Sequence, residues 1–500
     1  MRIDWQIGPM REWRADVVLF YTFEGPTDDR SGLAPWLAEH PGWTSQLRPP
    51  RDFVGKLLQT AVYYGPPQQP VARVILVGLG PAAGFDLEKL RNATAAALRK
   101  CRELQVERVG LPLAALQDLP VGVADALREA LIGGAGGLYA YQVLKTREQQ
   151  PEVFPQVLEV LSDTAPDEAL RQAVIDAEQI TAGIVLARDL VTAPANQATP
   201  AFLAKTAREL ADSYGFTIEV MDFEHAREMG MGLFAAVAQG SQEPACLIVL
   251  EHRPPGTEQD PPLVFVGKGI TFDTGGISIK PSAKMEYMKH DMAGAAAVLG
   301  AFKVIGEAGL QRRVLGMLPC CENMPDGKAY KPGDVLRSLA GLTVEVISTD
   351  AEGRLILADA LSYALRYKPA AMVDIATLTG ACIIALGDRV AAVMGNSEEF
   401  INHIQTIGAQ VGDRLWPLPL WDFYFDDLKS DVADFKNVGE RKGGAIIGGI
   451  FLKQFVPDDV PWAHLDIAGP AWAEKDFMSM PKGATGFGVR ILVELVKQWR

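Results

Sequence analysis

The sequence predicts an α/β protein of two domains. A smaller N-terminal α/β domain is followed by a larger C-terminal domain with a mixed, largely parallel sheet covered by helices on both faces. Three observations predict it. In the first third, strand-like apolar runs alternate with a segment of helical spacing. Further on, helical segments lie between many of the strand-like runs, the pattern of a parallel or mixed sheet sandwiched by helices. Between the two regions, "REQQPEVFP" (147–155) opens a polar, proline-bearing transition.

The elements follow in order. "DVVLFYTF" (16–23), "VARVILVGLG" (71–80) and "VERVGLPL" (106–113) read as strands, with an amphipathic helix over 86–104. Gly78-Leu79-Gly80 ends a strand but does not continue as G-x-G-x-x-G, so no dinucleotide site is expected. The N-terminal domain is expected over 1–163 and a linking helix over 164–192, from "DEALRQAVIDAEQITAGIVLARDLV" (167–191). The C-terminal domain then spans 193–500 and opens with a loop ending in Thr199-Pro200, an N-cap followed by a first-turn proline. Strands are expected at 216–222, 245–251, 263–270, 342–348, 370–377 and 462–469.

Composition narrows the function. The 500 residues are 48% hydrophobic and 22% charged, which is globular, and the formal net charge of −14 argues against a general nucleic-acid-binding surface. A local basic stripe from Arg11, Arg14, Arg48, Arg51 and Lys56 survives that argument. The start of the chain shows no basic segment followed by an apolar run, so no signal peptide is expected. "RVILVGLG" and "GGAIIGGIF" are too short and glycine-rich to span a membrane. Five scattered cysteines without a C-x-x-C pair read as reduced core thiols and a cytoplasmic setting. Six histidines with no i, i+4 pair leave oxygen as the main ligand type for any metal.

Ligands of open α/β sheets bind beyond the carboxyl ends of the strands, and three strands here end in unusual chemistry. "VGKGITFDTGGISIKP" carries Lys268, Asp273 and Lys280; "STDAEGRL" carries Asp350, Glu352 and Arg354; "DIATLTGA" carries Gly380. Asp291 stands just ahead of a small-residue helix. Each has a plain alternative: Thr349 to Glu352 fits a capping box, Asp291 suits a helix N-terminus, and Lys268 can reach solvent from a strand end. Asp374, inside "MVDIA", reads as a hydrogen-bonded structural acid. Together, however, Asp273, Asp291, Asp350 and Glu352 would repel unless divalent metals joined them, and four carboxylates suit two metals ~3.5–4 Å apart. A lysine beside such cations has its pKa pushed down, and the neutral amine can ligate.

These stretches, with "ENMPDGKAYKPGDV", "LKSDVADFKNVG" and "WAHLDIAGPAW", resemble the leucyl aminopeptidase family of dizinc exopeptidases over about 185–475. The resemblance implies a tighter metal site of Lys268, Asp273, Asp291 and Glu352. It implies a more exchangeable one of Asp273, Asp350 and Glu352, helped by the Asp350 carbonyl. The ions would be Zn²⁺ or Mn²⁺, with Asp273 and Glu352 bridging. Lys280 and Arg354 match the two catalytic residues that are not ligands, with bicarbonate held at Arg354 as general base. Met288, Thr377, Leu378 and Gly380 correspond to substrate-pocket positions. Ser348, Ala293 and His290 depart from the usual pattern, and none removes a ligand. The implied function is hydrolysis of the N-terminal residue, with a broad, leucine-like preference, from peptides with a free N-terminus, by a homohexamer. Two other classes compete. A two-metal phosphoesterase would use the same carboxylates but usually adds His or Asn ligands. A DNA-associated architectural or regulatory role, suggested by some relatives, would need the basic stripe.

Overall fold

The structure, a computed structural model, describes residues 1–25, 33–44, 53–67, 69–147, 155–478 and 480–499. Two compact units emerge: Met1–Thr181 with Lys475–Lys482, and Ala182–Glu474 with Gly483–Arg500. The division falls inside one helix, Glu168–Thr192. The first unit holds a six-stranded sheet in the order Arg2–Ile7, Val157–Ser162, Arg108–Pro112, Ala15–Thr22, Val71–Gly78, Thr60–Tyr64. All neighbours are parallel except the last pair. The helix Leu87–Glu103 starts at Asp86, whose side chain accepts the Lys89 N–H. Arg11, Arg14 and Lys56 are exposed, while Arg48, Arg51 and most of the 147–155 transition lie outside the described residues.

The second unit is built on a mixed sheet. Its strands run Leu415–Pro417, Ala391–Gly395, Trp462–Asp466, Ala371–Ala376, Leu263–Gly267, Val314–Asn323, Cys246–His252, Thr217–Asp222, with Gly269–Asp273 pairing beside the end of Val314–Asn323. The central strands, from Trp462–Asp466 to Val314–Asn323, are mutually parallel. Alternation along Val314–Asn323 shows both faces covered. Leu315 and Met317 join the core beneath the Gly353–Ala364 and Gly232–Ala238 helices, while Gly316 lies against Val298 and Phe302 of the Ala293–Glu307 helix. The Pro200–Tyr214 helix begins as its sequence predicts, with the Thr199 hydroxyl accepting the Phe202 N–H, and it ends at Gly215 with a φ of 73°.

One predicted strand goes elsewhere. Of 342–348 only Thr343–Glu345 is extended, and it is the middle strand of a separate three-stranded sheet between Val335–Arg337 and Phe435–Lys436. All five cysteines are buried and unpaired. No helix among the described residues is long and apolar enough to cross a membrane.

Candidate active site and metal centre

The site assembles beyond the ends of Leu263–Gly267, Gly269–Asp273 and Ala371–Ala376. The segment from Asp350 to Arg354 joins them from the separate three-stranded sheet, and not from the main one that the strand expected at 342–348 implied. Asp273 is the last residue of its strand and lies opposite Asn323, whose amide donates to Asp273 Oδ1 at 2.8 Å and to the Thr349 carbonyl at 2.9 Å. The chain then turns through Gly275 and Gly276, with φ of 85° and 65°. A side chain at Gly275 would meet Asp350 Oδ1 at 2.8 Å, so position and conformation both demand glycine. Lys268 bridges two strands, with its N–H on the Ile375 carbonyl and its ammonium turned inward. That ammonium lies 2.8 Å from Asp291 Oδ1 and 2.9 Å from Glu352 Oε1, and donates to the Thr377 carbonyl at 2.9 Å. Gly353 leaves the room it needs, because a Cβ there would sit 2.5 Å from Lys268 Cε.

Asp291 follows the 3₁₀ turn Met285–His290, and its Oδ1 also accepts the Thr377 hydroxyl at 2.7 Å. Lys280 spans the other side, 2.7 Å from Asp273 Oδ2 and 2.5 Å from Asp350 Oδ1. The capping-box reading of 349–352 fails. The Thr349 hydroxyl donates to the Gly275 carbonyl at 2.5 Å and accepts the Ser278 N–H at 2.8 Å, while Glu352 faces Lys268. The Gly353–Ala364 helix therefore starts without a side-chain cap. Charge attraction to a buried ammonium has displaced the cap that sequence alone would favour. Nor does Lys268 reach solvent; it is 2% exposed.

Electrostatics mark the cradle. Burial pushes Asp273 up to about 6, helped by the charge on Glu352 and opposed by Lys280 and Lys268. Burial also drives Asp291 well above the carboxylate range and raises Asp350. Glu352 is buried too, yet Lys268 and Lys280 outweigh that and hold it down at about 2. Burial works against the charge on both lysines, but the surrounding carboxylates win and raise them. Arg354 is buried and lowered to about 10 by that burial; its Nη1 donates to the Asn437 carbonyl at 2.8 Å, and its Nε has no partner among the described residues.

The donor set fits divalent metal. Ligand atoms of Asp273, Asp350 and Glu352 all lie within 4.8 Å of one another. Asp291 Oδ2 and Glu352 Oε2 are buried oxygens with no hydrogen-bond partner among the described residues, which is costly unless something cationic takes them. Of the pocket positions, Thr377 is tied to Asp291 and Lys268, as above. Met288 is half-buried three residues before Asp291; Leu378 is half-buried, its N–H on Asp466 Oδ1 at 3.1 Å; Gly380 is exposed at the start of a helix. Asp374 is the structural acid its context predicts, accepting from Trp462 Nε1 at 2.7 Å and paired with His464 Nδ1 at 2.5 Å. Sequence reasoning missed Asn323, Tyr330, Asn437 and Asp466. Tyr330 donates to the Thr349 carbonyl at 2.9 Å, and Asp466 accepts the Thr379 hydroxyl at 2.7 Å. Only the polar residues closing apolar runs at Asn323 and Asp466 offered a signal.

Fold and cradle together define the class, an α/β enzyme that binds divalent metal. Comparison with known proteins narrows it. The profile described as "Cytosol aminopeptidase family, catalytic domain" matches residues 185–493, and that family's N-terminal domain matches 36–148. The chain belongs to the cytosol aminopeptidase family and is a metal-dependent aminopeptidase. It is 59% identical to a probable cytosol aminopeptidase of Syntrophobacter fumaroxidans, over 100% of this chain and 99% of the relative. One of Oleidesulfovibrio alaskensis is 48% identical, over 99% and 98%. Among solved structures, a mutant of tomato leucine aminopeptidase is similar at 32% identity and a TM-score of 0.87, over 99% of this chain and 96% of that one. The bottromycin maturation enzyme BotP in complex with Mn is similar at 35% and 0.84, over 97% and 99%.

Proposed function

We propose that the cradle holds two divalent ions, Zn²⁺ or Mn²⁺, and removes the N-terminal residue from unblocked peptides with a broad, leucine-like preference. Lys268, losing its proton to become a neutral amine beside the cation, would hold one ion with Asp273, Asp291 and Glu352; Asp273, Asp350 and Glu352 would hold the other. The observation that carries this reading is the convergence of these side chains with two buried carboxylate oxygens that have no hydrogen-bond partner among the described residues. When bound, such ions supply an activated water, with its pKa lowered from 15.7 toward ~7, and a Lewis acid for the substrate's carbonyl and free amine.

The chain's own residues do the rest. Lys280 keeps its proton, because three carboxylates surround it, and its ammonium can donate to the carbonyl oxygen as that oxygen takes up negative charge. Arg354 presents a buried guanidinium whose Nε is unspent among the described residues, suited to clamping a small planar anion such as bicarbonate. The Thr377 hydroxyl and carbonyl hold Asp291 and Lys268 in register. Met288, Leu378 and Gly380, with Thr377, would line the pocket for the N-terminal side chain. The setting proposed is cytoplasmic and the assembly a homohexamer, to be checked by light scattering for six chains of 54.1 kDa.

The test is release of p-nitroaniline from leucine p-nitroanilide by chelator-stripped protein, before and after Zn²⁺ or Mn²⁺ is restored. Turnover that returns only with metal and is absent on the N-acetylated substrate is the expected result. Equal turnover of the blocked substrate would refute the exopeptidase assignment.

A further inference from the structure

Asn437 is fully buried and directly follows the short strand Phe435–Lys436, which pairs with Thr343–Glu345. Its hydrogen bonds go to two different parts of the site. The side-chain oxygen accepts the N–H groups of Ile347 at 2.8 Å and Ser348 at 3.3 Å, and the amide nitrogen donates to the Ser348 carbonyl at 2.6 Å. Its backbone N–H donates to the Glu345 carbonyl, and its own carbonyl accepts Arg354 Nη1 at 2.8 Å. Ser348 lies two residues before Asp350 and four before Glu352. One residue thus fixes the backbone entering the carboxylate loop and aims the guanidinium leaving it. The opposite edge of that loop is held separately, by Asn323 and Tyr330 on the Thr349 carbonyl.

A primary amide suits this place because it accepts and donates side by side. Aspartate would only accept, and would set an anion against the Ser348 carbonyl. Leucine would leave two N–H groups and a carbonyl unmet.

We propose that Asn437 is a positioning residue for the hydrolytic reaction, registering the Asp350–Glu352 loop and the Arg354 guanidinium against each other. The inference rests on the site assignment above and adds to it a residue that touches neither metal nor substrate. Loss of such a supporting hydrogen bond typically costs about 10–100-fold in metal affinity or activity.

The experiment compares Asn437→Ala, Asn437→Asp and Thr343→Val with the unmodified full-length protein. Thr343→Val loosens the same small sheet, since the Thr343 hydroxyl donates to Asp434 Oδ2 at 2.9 Å, without touching the loop. Each protein is stripped with chelator and titrated with Mn²⁺, and kcat and KM for leucine p-nitroanilide and Tm are recorded. Both Asn437 variants are expected to lower kcat at least about tenfold with little change in KM and to raise the Mn²⁺ midpoint, while Thr343→Val keeps both. Asn437→Asp, close to isosteric, carries the test if the alanine variant fails to fold. An Asn437 variant that lowers Tm yet keeps kcat and the Mn²⁺ midpoint would overturn the proposal. Asp350→Ala and Arg354→Ala run alongside: if these also keep full activity, the site assignment itself falls, whereas if only Asn437 proves silent, the inference alone does.

Discussion

Lys280 and Asp273 touch each other at 2.7 Å, yet the site asks different things of them. Asp273 is one of three carboxylates whose ligand atoms cluster, and it is organised by Asn323 and the Gly275 N–H. Lys280 contributes a positive charge that its neighbours keep protonated. Lys280→Ala is therefore expected to leave metal content near that of the unmodified protein and to reduce kcat by about a hundredfold or more, on the scale of losing one stabiliser of a developing oxyanion. Asp273→Ala is expected to lose metal as well as turnover. Elemental analysis of the purified variants beside steady-state rates separates the two roles. Full activity in both would remove these residues from the site.

At the scale of elements, the Gly353–Ala364 helix ties the site to the core. It opens beside Glu352 and Arg354 and, two turns on, carries Asp359, which is fully buried. Asp359 Oδ2 accepts the N–H groups of Leu233 and Phe234 at the start of another helix, and Oδ1 accepts that of Leu339. Burial raises its pKa from 3.8 to about 7 and outweighs the three backbone N–H groups that pull it down. Between these values the native state keeps a proton the unfolded chain has lost, so stability from this group falls as pH rises through that window and is flat above it. Asp359→Asn is expected to cost roughly 2 kcal/mol by turning an NH₂ group toward donors, and to remove that slope. Urea melts below and above the window check both; an unchanged slope would show that Asp359 does not titrate there. Sequence periodicity could find this helix and its neighbours because each is an amphipathic or buried segment with its own local pattern. It misjudged 342–348 because three residues of small sheet, satisfied by partners some 90 positions away, look locally like any other strand.

For the whole molecule, the legible part of the site was the part that parallel topology dictates. Strands that share a direction end at one edge, so Lys268 and Thr377, each directly following its strand, come together there, and Asp273 ends the parallel Gly269–Asp273 strand. Asn437 and the supporting Asn323 and Tyr330 were not legible, because their work is done by single hydrogen bonds across long sequence distances. The assignment of Lys475–Lys482 to the first unit was equally hidden, since a short excursion leaves no pattern of its own. The site gathers four acidic side chains against Lys268 and Lys280, and burial pushes Asp273 and Asp291 toward their neutral forms, a cost that a bound cation removes. Metal binding should therefore stabilise the native fold. Because the unfolded chain scatters these ligands, each tenfold rise in free Mn²⁺ above its Kd is expected to add about 1.4 kcal/mol per site. Tm followed against Mn²⁺ concentration reads this directly. The rise should vanish in Asp273→Ala, and a Tm indifferent to Mn²⁺ in the unmodified protein would mean that the cradle does not take the ion at all.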